Sequence, residues 1–75
     1  MPKLPRVTGK QVLSAVKRSG FEVINVRGSH HYLRKPGGSK LVVIPVHTGE
    51  VIPPKTLQSI LEQAKLDADE FIELL

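Results

Sequence analysis

Residues 21–45 read Phe21-Glu22-Val23-Ile24-Asn25-Val26-Arg27-Gly28-Ser29-His30-His31-Tyr32-Leu33-Arg34-Lys35-Pro36-Gly37-Gly38-Ser39-Lys40-Leu41-Val42-Val43-Ile44-Pro45. Three short runs are rich in β-branched and aromatic residues, and turn formers separate them. The spacing predicts a first strand over 21–26, a two-residue turn at Gly28-Ser29 and a second strand over 30–35. Pro36-Gly37-Gly38-Ser39 is a strong hairpin signal. A third, almost continuously apolar strand follows over 40–44, where Pro45 stops it. Consecutive strands joined by such short turns form an antiparallel meander.

Helices are expected on either side. Thr8-Gly9-Lys10-Gln11 has the spacing of a capping box, in which the Thr8 hydroxyl accepts from the Gln11 N–H while the Gln11 side chain reaches back. A first helix is predicted over 9–19, with Val12, Leu13 and Val16 as its apolar stripe and Ala15 at the edge. Gly20 offers the left-handed residue that closes it. Pro53-Pro54 suits the first turn of a helix. Leu57, Ile60, Leu61 and Ala64 then recur at helical spacing, giving a second helix over 54–65. Asp67 and Glu70 can cap a last short helix over 68–74, with Phe71, Ile72 and Leu75 on its apolar side. Residues 1–7, with two prolines and no period, read as an extended lead-in. The order α-β-β-β-α-(α) predicts an α+β fold, a two-layer sandwich with a three-stranded antiparallel sheet and helices on one face. Double-stranded-RNA-binding domains have this order, but fold alone does not give function.

The chain has 75 residues, room for a single domain over 1–75. It has no cysteine, which excludes a disulfide framework and a thiolate metal site and suits a cytoplasmic protein. No apolar run approaches the ~18–20 residues that span a bilayer, and the first residues lack the apolar stretch of a signal peptide. Charge is unevenly spread. Residues 1–40 hold nine cations (Lys3, Arg6, Lys10, Lys17, Arg18, Arg27, Arg34, Lys35 and Lys40) against Glu22 alone, a net +8. Residues 41–75 hold Lys55 and Lys65 against six acids, a net −4. A basic half of this kind fits a polyanion, most simply nucleic acid.

Chemistry concentrates at Arg27-Gly28-Ser29-His30-His31 and again at Pro45-Val46-His47. Imidazole exchanges a proton near neutral pH, and arginine and lysine bind phosphate. Side chains alternate along a strand. His30, Tyr32 and Arg34 therefore share one face, while His31, Leu33 and Lys35 share the other. Arginine is seldom fully buried, so the His30 face is expected to meet solvent and His31 to pack beside Leu33. On these grounds alone His30 is either an idle surface histidine or a general acid–base group, and His47 either a loop residue bonded to its own chain or a substrate-positioning one. A zinc site is disfavoured. His30 and His31 point apart, and His30 with His47 gives two ligands where zinc takes three or four. No metal and no cofactor are expected. The candidate RNA contacts are Lys10, Lys17, Arg27, Gly28, Ser29, Arg34, Lys35 and His47.

Taken together, Gly20-Phe21, Gly28-Ser29-His30-His31, Val43-Ile44-Pro45-Val46-His47 and the run from Pro53 to Ala64 resemble the HicA family of toxins from prokaryotic toxin–antitoxin modules. The resemblance covers about residues 8–75. It implies a double-stranded-RNA-binding-like fold and a metal-independent endoribonuclease that cuts mRNA without the ribosome. It also implies a protein monomeric by itself and hetero-oligomeric with a HicB-type antitoxin that silences it. The family's catalytic histidine follows Gly-Ser, which is His30 here. One departure is Lys65, where many relatives have glycine after the alanine of the second helix. The competing expectations are a non-catalytic RNA-binding module, which would not need His30, and an inactive relative that only binds an antitoxin-like partner.

Overall fold

The computed structural model describes residues 4–38 and 40–75. The lead-in at 1–3 and Ser39 of the hairpin lie outside the described residues. Six elements follow in the expected order: α1 (Gly9–Arg18), β1 (Glu22–Arg27), β2 (His30–Arg34), β3 (Leu41–Pro45), α2 (Pro54–Ala64) and α3 (Ala68–Leu74). The strands form one antiparallel sheet in the order β1-β2-β3.

Local chemistry sets the helix ends. The Thr8 hydroxyl accepts from the Gln11 N–H at 3.3 Å, and the Gln11 side-chain oxygen accepts from the Thr8 N–H at 2.9 Å. Asp67 and Glu70 repeat the arrangement at α3, at 2.8 and 3.1 Å. Helix α2 begins on Pro54 and ends at Lys65, whose backbone is left-handed at φ 56° and ψ 41°. There the Leu66 N–H donates to Leu61 O at 2.9 Å and the Lys65 N–H to Glu62 O at 3.2 Å, the bonding of a Schellman motif. A lysine at this left-handed position, where glycine is the usual residue, does not unwind the motif.

The core is one cluster drawn from every element except β1. Its most enclosed members are Val12 and Val16 of α1, Leu33, Val42 and Ile44 of the sheet, Leu57 of α2 and Phe71 of α3. Each large side chain there contributes roughly 1.5–3 kcal/mol. Two details differ from expectation. Ala15 is fully buried and Leu13 lies at the margin, because the inward face of α1 runs through positions 12, 15 and 16. In α3, Ile72 and Leu75 are exposed and Leu74 packs inward instead, since Leu74 lies three residues from Phe71 and shares its side of the helix. The Arg18 guanidinium donates to the Leu74 carbonyl at 2.7 Å and so ties α3 to the end of α1.

Helices α1 and α2 pack on β3, and α1 also packs on α3. One residue sets how close α1 comes. A side chain at Gly9 would strike the Pro45 carbonyl oxygen and lie 2.8 Å from Val46 Cα. The glycine lets the start of the helix rest directly on the end of β3. Both sheet edges are interrupted. In β1 the register shifts between Val23 and Asn25, and the Asn25 side chain accepts from the Val26 N–H at 2.9 Å. In β3 the outward Val43 N–H donates to the Gln63 side chain at 3.4 Å, and Pro45 has no N–H to offer.

Candidate nucleic-acid interface

The register decides which side chains share a face. Leu33 pairs with Val23 and Val42, and His31 pairs with Ile44. Leu33, Val42 and Ile44 are all buried, so this is the helix-covered side. His30, Tyr32 and Arg34 therefore project from the opposite, open side. Their cross-strand neighbours are Arg27, Asn25 and Glu22 on β1, and Pro45, Val43 and Leu41 on β3.

His30 opens β2 and is exposed, with Arg27 on one side and Pro45 on the other. The turn before it has a positive φ of 57° at Gly28 only, the signature of a type II′ hairpin turn. Open space surrounds Gly28, so a ligand's backbone can approach the turn closely. The Val46 N–H donates to Ser29 O at 2.7 Å. This carries the ladder one pair past β3 and leaves His47 next in line with Gly28. His47 is exposed, and its carbonyl accepts from the Glu50 N–H at 3.1 Å, closing a turn in which Gly49 has φ 77°. Because Gly9 rests on Pro45 and Val46, the start of α1, where Lys10 is exposed, lies at the same end of the sheet.

His31 is half-buried on the helix side, and its Nδ1 lies 3.4 Å from Ser29 O. A proton on that nitrogen donates to the carbonyl. The two adjacent histidines thus meet different surroundings, one open and one packed.

Arg27, Gly28, Ser29 and His30 come together, with His47 and the start of α1 at the same end of the sheet, while the other sequence candidates divide. Arg34 keeps to the open face, beside Glu22 and four residues along the strand from His30. Lys35 leaves the sheet on the helix side, and its Nζ lies 5.8 Å above the Phe21 ring. Its stem also borders Gly20 at the end of α1. Lys17, near that end of the helix, lies about 10 Å of helix axis from Lys10. A groove of about 770 Å³ occupies this far end, lined by Lys35, Lys40 and Lys65 but also by Glu70 and Glu73. It does not include His30. A site acting on a long polymer needs an open face more than an enclosed pocket, and the open face is where His30 stands.

The sequence-based set passed over two residues. Tyr32 shares the open face with His30, and strand alternation alone reveals it. Gly9 seats α1 against the strand that leads to His47, and nothing in its sequence neighbourhood marks that role. Among the described residues no polar side chain is buried, no three His, Asp or Glu side chains are grouped to hold a metal ion, and no helix is long and apolar enough to cross a membrane.

Against known families, residues 9–66 match one described as HicA toxin of bacterial toxin-antitoxin. No curated protein matches the chain.

Proposed function

We propose, from the premise that this chain belongs to the HicA toxin family, that it is an endoribonuclease that cleaves mRNA with His30 as its general acid–base group. The observation that carries the reading is the placement of His30. It is exposed on the open sheet face, directly after a glycine turn with free space around it, and cross-strand from Arg27.

RNA carries its own nucleophile. The neutral imidazole of His30 takes the proton of a ribose 2′-OH, and the 2′ oxygen attacks the adjacent phosphorus. The bond from phosphorus to the 5′ oxygen breaks, and the imidazolium returns the proton to that oxygen. The products are a 2′,3′-cyclic phosphate and a 5′-OH. Proton transfer of this kind contributes roughly 10²–10⁴-fold. The Arg27 guanidinium can pair with the non-bridging oxygens, where its fork geometry and fixed charge stabilise the developing anion. Lys10 and His47 supply further contacts at the same end.

A toxin of this family is paired with an antitoxin. We propose a HicB-type partner whose acidic surface competes with RNA for Arg27 and Lys10 and covers His30. Protection of His30 from carbethoxylation in the complex checks this, and undiminished reactivity would place inhibition elsewhere.

The direct test is incubation of purified protein with RNA in EDTA. Wild type should cut and His30→Ala should not, while RNA with 2′-O-methyl riboses should bind and resist. Cleavage by His30→Ala at the wild-type rate would refute His30 as the acid–base group, and binding without cleavage by wild type would leave the RNA-binding-module reading in its place.

A further inference from the structure

We infer that Tyr32 is a base-stacking residue, and that a nucleobase lying on its ring fixes which phosphodiester reaches His30. This rests on the proposed ribonuclease function and adds to it the residue that positions the strand.

The chain has three aromatic residues. Phe21 and Phe71 are buried in the core. Tyr32 alone stands on the open face, half-buried, so part of its ring meets solvent. Its cross-strand neighbours, Asn25 and Val43, are smaller and uncharged, and both flank the ring within the sheet. Two residues of an antiparallel strand span about 6.8 Å. Tyr32 is thus one same-face step from His30, the reach of a base whose own or adjoining ribose lies at the imidazole.

Charge gives the strand a direction. Arg27 and His30 lie on one side of Tyr32. On the other side Arg34 stands beside Glu22, whose carboxylate offsets part of its charge. Phosphates are therefore drawn most strongly to the His30 end. An aromatic ring on a flat sheet, next to cations, is the arrangement that holds unstacked bases of single-stranded nucleic acid. A base locked inside a duplex offers no free face to such a ring. The same face could serve a protein partner, but an isolated aromatic between arginines fits a base and its phosphates better.

The composition supplies the probe. With one tyrosine and no tryptophan, the protein's near-ultraviolet emission comes from Tyr32. Titrating His30→Ala protein with single-stranded RNA, corrected for absorption by the RNA, should quench that emission, and duplex RNA should quench it far less. In the same background Tyr32→Leu, which keeps an apolar side chain, should bind single-stranded RNA about 5- to 150-fold more weakly, the range for loss of one stacked base. With His30 intact, Tyr32→Leu should raise KM and spread the cleavage positions. Tyr32→Phe should restore affinity, rate and cleavage pattern. Circular dichroism should show all variants folded.

Unchanged affinity and cleavage pattern in folded Tyr32→Leu would overturn the assignment, and would do so while His30→Ala remains inactive and the ribonuclease reading stands. Loss of antitoxin binding with RNA binding intact would also overturn it, and would mark a protein-binding face. If Tyr32→Phe binds as weakly as Tyr32→Leu, the role belongs to the hydroxyl and stacking is refuted. If His30→Ala cuts RNA normally while Tyr32→Leu loses affinity, Tyr32 keeps its role and the catalytic reading of His30 fails.

Discussion

Positions 30 and 31 carry the same side chain on opposite faces of one strand, so single substitutions separate chemistry from folding. His30 is exposed, and His30→Ala should change stability by no more than about 0.5 kcal/mol while abolishing cleavage. His31 is half-buried and its ring reaches Ser29 O. His31→Ala should melt earlier, by about 0.5–1.5 kcal/mol, and still cut RNA below its melting temperature. Thermal melts and a gel-based cleavage assay of both variants decide the matter; an inactive but normally stable His31→Ala would reverse the roles. Lys65 supplies a second residue-level test. A left-handed backbone costs an L-residue about 1–2 kcal/mol, and glycine's greater freedom in the unfolded chain offsets part of the relief. Lys65→Gly should therefore stabilise the protein by about 0.5–1 kcal/mol, read as a higher urea midpoint at unchanged slope.

Among the elements, α1 depends on a contact that its amphipathic pattern does not encode. Gly9→Ala places a methyl against the Pro45 carbonyl, and backbone cannot give way as a flexible side chain can. The expected loss is about 1–3 kcal/mol, a fall in melting temperature of several degrees or more for a domain of this size. Calorimetry showing no change would mean that α1 can tilt away freely. This contact shows where sequence reading stops. The capping boxes at Thr8 and Asp67, the strand alternation and the glycine turns are short-range signals, and each element forms within a residue of where they place it, β3 running on to include Pro45. The separation of His30 from His31 was legible for the same reason, because a period of two leaves no choice once one face is buried. The inward face of α1 was less so: at 3.6 residues per turn, Leu13 and Ala15 are both near the edge of the stripe, and packing against β3 and α3 chooses between them. The bulge at Ile24 and Asn25 depends on pairing with β2. The division of the basic residues depends on the direction in which α1 crosses the sheet. That direction is long-range information, carried by Gly9 at one end and by Gly20 against Lys35 at the other.

For the molecule as a whole, that division becomes measurable in salt. Arg27 and Arg34 stand on the open face and Lys10 on the start of α1 beside the end of β3, whereas Lys17 and Lys35 lie apart from them. Three phosphate contacts with single-stranded RNA give a logarithmic slope of about −2, or roughly a 20-fold loss of affinity between 50 and 200 mM salt. Five would give about −3.5 and a loss above roughly 100-fold. The shallower slope is expected, and the steeper one would mean that RNA wraps around both ends. The interrupted sheet edges bear on a different matter, the behaviour of the protein when it is abundant. An unbroken edge invites the next molecule to add its strand. Here a bulge breaks β1, Gln63 occupies the Val43 N–H, and Pro45 has no donor. Copies released from an inhibitor are thus poor templates for one another, and light scattering should return a single-chain mass as concentration rises. The amount of active protein is then set by how much inhibitor is present, with no reserve held in self-assembled particles.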